Sequence, residues 1–245
     1  MFGRIFFSLL LLLSPVSAWA GEVRVAVAAN FLATLQALEP VHRQQTKDSL
    51  RISSGSTGKL YAQIVHGAPI DVLLSADSQH PQRLVGQQLA DENSRFVYAS
   101  GQLVIWSRDP VVLDEKMLLS SETRRIAMAN PATAPYGLAA RQMLEKMGYW
   151  TLLQSKLVMG ESVGQAFQFA ATGNAQLGLV SLSQVLSPNN RYSRDYWRVP
   201  PSYYSPLEQQ AVLLNRAGDN EAAKRFLLFL RSDEARAVMH QYGYL

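Results

Sequence analysis

Ser53-Ser54-Gly55-Ser56-Thr57-Gly58 decides how this chain is read. It follows a short strand-like run, Leu50-Arg51-Ile52. It leads into Leu60, Ile64 and Val65 at helical spacing, with Lys59 and Gln63 on the other side. A strand that ends in glycines and hydroxyls and then opens a helix leaves first-turn N–H groups without intrahelical partners. Such groups bind anions. The hydroxyls of Ser56 or Thr57 can add donors. Gly58-Lys59 is not a P-loop, because Ser53 stands where that motif needs glycine and Leu60 where it needs Ser or Thr. The plain alternative is a polar connecting loop with a helix cap.

What gives the stretch weight is recurrence. Val23 to Val27 alternates like a strand, then Ala28-Ala29-Asn30 precedes Phe31, Leu32, Leu35 and Leu38 at helical spacing. Asn30 fits a helix cap and a ligand contact equally well. Pro40 implies a kink or a fresh turn in that helix. Arg125 to Ala129 reads as a strand ending in Asn130-Pro131-Ala132-Thr133-Ala134-Pro135-Tyr136-Gly137, before a helix over 138–147. Lys156 to Met159 ends in Gly160-Glu161-Ser162-Val163-Gly164, before a helix from Gln165. Ile70 to Leu74, Leu177 to Val180 and Gln209 to Leu214 are further strand candidates, and a helical, mixed segment is expected after Pro110. Asp71 and Asp77 read as turn and cap residues, since no histidine or third carboxylate completes an acid–base or metal set around them.

Alternating strands and helices argue an α/β fold with mostly parallel sheets flanked by helices. Ligands then bind beyond the carboxyl ends of the strands. Two of the four turns precede residue 100 and two follow it. Ser100-Gly101 breaks an extended run, as suits a chain crossing between lobes. The expected organisation is a leader over 1–20, lobe 1 from 21–100 plus 211–245, and lobe 2 from 101–210. Pro200 to Pro206 is a stiff connector, and helices near 221–231 and 234–242 close the chain.

None of the four turns is rich in Lys or Arg, so the cage they imply is neutral and made of N–H and O–H donors. A fully ionised tetrahedral dianion offers only acceptors and suits it. Protonated phosphate would want a carboxylate, for which only Glu161 is available. The rest of the composition agrees. The net charge of +4 falls to +3 without Arg4, and no basic run marks a nucleic-acid surface. The leader has Arg4, an apolar run from Ile5 to Leu13 that is too short for a span, and Ala18-Trp19-Ala20 as a small-x-small cleavage site before Gly21. With no cysteine there is neither a lipid attachment point nor a disulfide, so a soluble protein exported to a periplasm is expected.

The rival reading is an enzyme. Gly160-Glu161-Ser162-Val163-Gly164 matches the nucleophile elbow of α/β-hydrolases, and Asp195, Glu208 or Asp219 with His240 follow in the required order. Against it, no oxyanion segment of the HGG type lies upstream, and His240 sits in a helical pattern. His42, His66 and His80 are scattered, and no bare metal ion or cofactor is expected.

Taken together, Ala28-Ala29-Asn30-Phe31, Ser53 to Gly58, Gln63-Ile64 with Gly67-Ala68-Pro69, Ser75-Ala76-Asp77, Asn130-Pro131 with Ala134 to Gly137, and Ser162 to Ala166 resemble the periplasmic molybdate-binding proteins of ABC transporters, the ModA family. The resemblance covers essentially the whole mature chain. It implies a two-lobed type II binding-protein fold with the ligand in the interlobe cleft. It also implies molybdate or tungstate as ligand, a monomer, no catalysis, and delivery to a membrane permease. Position by position it places oxyanion contacts on Asn30, on Thr57, and on Tyr136 and Val163 through their backbone N–H groups. Ser181 stands where some members have a tyrosine hydroxyl, and Ala29 where a subgroup has threonine.

Overall fold

The computed structural model describes residues 20–245, so the leader reading lies almost wholly outside the described residues. In chain order the first part runs β1 (Glu22–Ala28), α1 (Leu32–Thr46), β2 (Ser49–Gly55), α2 (Thr57–Val65), β3 (Val72–Ser75), α3 (Gln79–Gly86) and β4 (Phe96–Gly101). A second part follows with β5 (Leu103–Trp106), β6 (Ile126–Ala129), α4 (Pro135–Lys146), α5 (Trp150–Leu153), β7 (Leu157–Gly160), α6 (Val163–Ala171), β8 (Leu177–Ser181), α7 (Leu182–Leu186) and β9 (Tyr196–Arg198). The chain then returns as β10 (Leu207–Leu213), α8 (Glu221–Phe229) and α9 (Asp233–Gln241).

These strands form two five-stranded sheets of the same plan, β2-β1-β3-β10-β4 and β7-β6-β8-β5-β9. In each, four strands run in one direction and one, β10 in the first sheet and β5 in the second, runs against them. The sheets are therefore mixed, each with a single reversed strand among four that share one direction. The reversed members, β5 and β10, are the strands that enter each sheet from the other lobe. A strand entering from the other lobe has no helical crossover to turn it round, so it arrives antiparallel. Only Gln102 separates β4 from β5. On the way back, β10 joins the first sheet from Leu207, earlier than the boundary at 211.

The central strands explain their own sequences. β1 lies between β2 and β3, and Val23, Val25, Ala26 and Val27 are fully buried. That is the near-continuous apolar run of a strand covered on both faces. One face packs on Phe31, Leu35, Phe226 and Phe229, the other on Leu60, Ile64 and Leu84. The second lobe has one core, in which Trp106 stacks on Phe167 with ring centroids 4.6 Å apart. Burying a Leu or Ile side chain contributes about 1.5–3 kcal/mol each, so these cores rather than helix propensity hold the elements in place.

Some local readings change. Pro40 sits inside α1, which continues through it to Thr46. The stretch after Pro110 is largely irregular, with a single 3-10 turn over Glu115–Leu118. At the end of α2, Gly67 adopts φ +85 and donates to the Ile64 carbonyl at 2.9 Å, the left-handed stop its sequence implies.

Register positions the site. In the first sheet Ala28 pairs with Gly55, and in the second Ala129 pairs with Gly160. Each sheet therefore ends two parallel strands side by side. Each pair of ends feeds helices whose first turns face the other lobe.

Candidate functional site

Between the lobes lies a cavity lined by Ala28, Ala29, Asn30, Gly55, Ser56 and Thr57 from one side, with Ala76. From the other side come Ala134, Pro135, Tyr136 and Val163. It is small, with about 10 Å³ open to the centre of a water-sized sphere. That is about one water-sized group, far short of a sugar or an amino acid. Roomier hollows of about 320 and 350 Å³ lie on the second lobe beside Arg108 and Gln176, and between the lobes beside Asp77 and Gln142. The second takes in the starts of α3 and α4, but Asp77 and Glu208 line it, and two carboxylates oppose an anion there.

No charged residue lines the cavity. Glu161 stays outside it, at an exposed rim, where it pairs with Lys59 across the cleft. The potential inside is set by dipoles instead. Thr57 and Val163 are the first residues of α2 and α6, and Tyr136 is the second of α4. Their N–H groups belong to the unpartnered first turn of each helix, where the macrodipole is positive.

The side chains differ in what they can offer. The Thr57 hydroxyl accepts the Ala76 N–H at 3.1 Å, which leaves its own hydrogen free. Ser56 also reaches the cavity. Its hydroxyl is buried without a hydrogen-bond partner among the described residues. The hydroxyl-rich stretch offers it as a donor alongside Thr57, although the family resemblance places no contact on it. Asn30 is 2 % exposed, and its side-chain amide donates to Gln209 Oε1 at 2.8 Å and to the Tyr244 hydroxyl at 2.9 Å. Gln209 in turn donates to the Leu207 carbonyl, which fixes the direction of its amide. Asn30 is also not a side-chain cap: Phe31 holds that position in α1. The Asn30 carbonyl accepts from Ser183 of the other lobe at 2.8 Å and from Tyr244 at 3.0 Å.

Tyr136 is buried, and its hydroxyl points away from the helix start towards Gly101. A Cβ on Gly101 would sit 2.2 Å from that oxygen, so the crossing strand needs glycine there. Burial pushes the Tyr136 hydroxyl well above its usual pKa, so it is neutral.

Of the five residues singled out, the structure brings Asn30, Thr57, Tyr136 and Val163 to one cavity. Ser181 is the exception. It is fully buried and caps α7, its hydroxyl bonded to Gln184 at 2.9 Å and to Ser183 at 3.0 Å. Its hydroxyl is engaged by neighbours within its own turn, and Ser181 is not among the residues that line the cavity. Ala29 lines the cavity and packs across the cleft, 3.2 Å from where a Gly164 Cβ would lie.

A family profile described as bacterial extracellular solute-binding protein matches residues 23–245. Among curated relatives, a molybdate-binding protein ModA of Rhodobacter capsulatus is 42% identical over 229 residues, covering 93% of this chain and 90% of its own. One of Azotobacter vinelandii is 42% identical over 230 residues, covering 93% and 91%. The chain is a member of the ModA family of bacterial extracellular solute-binding proteins. The solved periplasmic molybdate-binding protein of Azotobacter vinelandii superposes on this ModA-family chain with a TM-score of 0.87 at 40% identity, covering 91% of this chain and 98% of that one.

Family membership removes the enzyme reading, and the geometry gives the reason. In this ModA-family protein Ser162 accepts the Gln165 N–H at 3.3 Å as the cap of α6. His240 belongs to α9 of the other lobe, its ring bonded to the Tyr244 carbonyl at 3.0 Å. Asp195 bonds to Ser193 beside it. Asp71 takes the Arg24 N–H and Arg216, while Asp77 takes the His80 N–H, so both act as local anchors. Among the described residues no group of three His, Cys, Asp or Glu could hold a metal ion.

Proposed function

We propose that this protein captures molybdate, and tungstate with it, as the substrate-binding component of an ABC transporter. The observation that carries the reading is the convergence of three helix starts and Asn30, from both lobes, on one uncharged cavity. An ionised tetrahedral dianion accepts at all four oxygens and meets only donors there. Hydrogen phosphate would bring a hydrogen with no carboxylate to receive it. Thr57 supplies its hydroxyl and N–H, Ser56 its free hydroxyl, and Tyr136 and Val163 their N–H groups. Asn30 acts through its backbone N–H, since its amide is tied to Gln209 and Tyr244. Ser181 makes no contact. Because the donors stand on helices packed against sheets, the ring is rigid and sorts anions by size.

The two sheets act as lobes that close on the anion, hinged where β4 passes into β5 and where the chain returns to β10. The closed monomer presents itself to the membrane permease. Among the described residues no helix is long and apolar enough to cross a membrane. Residues 1–20 serve as a leader removed on export to the periplasm. A thermal-shift series with molybdate, tungstate, sulfate and phosphate at equal concentration tests the reading. A ligand at about 1,000 times its Kd stabilises by about 4 kcal/mol. Shifts with molybdate and tungstate alone are expected, and no shift with either contradicts the proposal.

A further inference from the structure

The start of the described chain ends on a buried carboxylate. The Gly21 N–H donates to Asp48 Oδ1 at 2.8 Å. The Asp48 side chain is 0% exposed and also takes the fork of Arg225, Nε to Oδ2 at 2.9 Å and Nη2 to Oδ1 at 2.8 Å. Gly21 is fixed on its other side as well, its carbonyl accepting the Ser49 N–H at 2.9 Å. Its lack of a side chain is required, because a Cβ would stand 2.5 Å from the Ala222 Cβ on α8. Ala20 is exposed, so the Ala20–Gly21 bond lies where the buried anchor gives way to solvent. That bond is also the one the Ala18-Trp19-Ala20 motif marks for cleavage.

We propose that Asp48 is a receptor for the new chain terminus, so that removal of residues 1–20 converts the Gly21 amide donor into an α-ammonium that shares the Asp48 carboxylate with Arg225. The inference rests on the proposed leader. Hydrolysis of the Ala20–Gly21 peptide bond puts the oxygen of water on the departing Ala20 carboxylate. Both hydrogens of the water go to the Gly21 nitrogen, which becomes –NH3+. A carboxylate has about four acceptor sites. Arg225 uses one on each oxygen, and the ammonium keeps the site on Oδ1 that the amide already occupies. Charge-assisted bonds are roughly twice as strong as neutral ones. Burial pushes the Asp48 carboxyl up, and the bonds from Arg225 and from the Gly21 N–H more than offset this, holding it below its usual range. The carboxylate is therefore charged and waiting. The protein gains the third charge only after export.

The test compares two otherwise identical proteins, released from a fusion and checked by intact mass: one beginning at Gly21, the other retaining Ala20. The Gly21 form is expected to melt about 2–4 °C higher. Its α-amino group should be acylated several-fold more slowly in the folded state. Asp48→Asn in both forms should abolish the difference in melting. If that variant does not fold, the acylation rates on the parent sequence decide alone. Equal melting and equal acylation overturn the proposal, and so does an exported chain whose mass places its first residue elsewhere than Gly21. Oxyanion binding is read on the same samples. Loss of binding with the terminus effect intact contradicts the transport reading and leaves this one standing.

Discussion

Gly58 on α2 donates its N–H to the carbonyl of Thr133, across the cleft, at 2.9 Å. A Cβ on Gly58 would stand 2.8 Å from that same oxygen. The contact joins the helix that carries Thr57 to the loop that precedes α4, so it forms only when the lobes meet. Gly58→Ala should therefore oppose closure. Affinity for molybdate is expected to fall about tenfold or more, a cost of about 1.4 kcal/mol. The melting temperature without ligand should change little. Unaltered affinity by calorimetry would show that closure does not need this approach.

Thr57 separates the hydroxyl from the backbone. Thr57→Ala removes a donor to the anion and leaves the Ala76 N–H without its acceptor, at a cost of about 1–3 kcal/mol. Thr57→Ser keeps both. Affinity measured by calorimetry should drop 10- to 100-fold in the first and stay within a few-fold in the second. Equal losses in the two would mean that the methyl group, not the oxygen, matters.

Tyr136 gives the opposite expectation. Its hydroxyl is buried without a partner among the described residues and faces Gly101, while its N–H faces the cavity. Tyr136→Phe should bind molybdate within about twofold and melt at the same temperature or higher, because an unpartnered buried hydroxyl is removed. A large loss of affinity would assign the contact to the hydroxyl.

The acid limb of stability should carry the mark of His42. Its ring is fully buried beside Phe226 and Phe229, with centroids 5.3 and 5.1 Å away. Burial holds its pKa below 6.5; Arg225 acts the same way, and Asp48 and Glu39 oppose it. The unfolded chain takes up this proton at a higher pH than the folded one. Stability is therefore complete above about 6.5 and is lost as pH falls through the folded value. Asp48, whose folded pKa is depressed, loses its contribution lower still, as pH falls from 3.8 through its folded value. His42→Leu should flatten the fall in melting temperature between pH 6.5 and 5. A slope identical to that of the parent contradicts this account.

The sequence was legible where local chemistry and tertiary position agree. Gly67 with Pro69 stops α2, and the glycine- and hydroxyl-rich ends of four strands mark helix starts because only small polar residues fit there. The turns that carry Asn30, Thr57, Tyr136 and Val163 were legible for that reason, while the contacts expected at those residues came from the family resemblance. What was missed depends on neighbours far along the chain. Pro40 is tolerated within α1 because tertiary packing of Leu35, Leu38 and His42 holds the helix on both sides of it. The three-residue β9 has too short a pattern to read, and it exists only because β5 offers an edge. The direction of the crossing strands is a matter of topology, invisible in periodicity. Ser181 looked available because nothing in the sequence reveals that Gln184 and Ser183 bond to its hydroxyl.

Calorimetric titration of the protein beginning at Gly21 with molybdate, repeated in a large excess of sulfate, tests the central claim most directly. One anion bound per chain, with affinity hardly altered by sulfate, is the predicted result. No binding of molybdate, or displacement by sulfate at equal concentration, would contradict a rigid, neutral cage sized for the larger dianion.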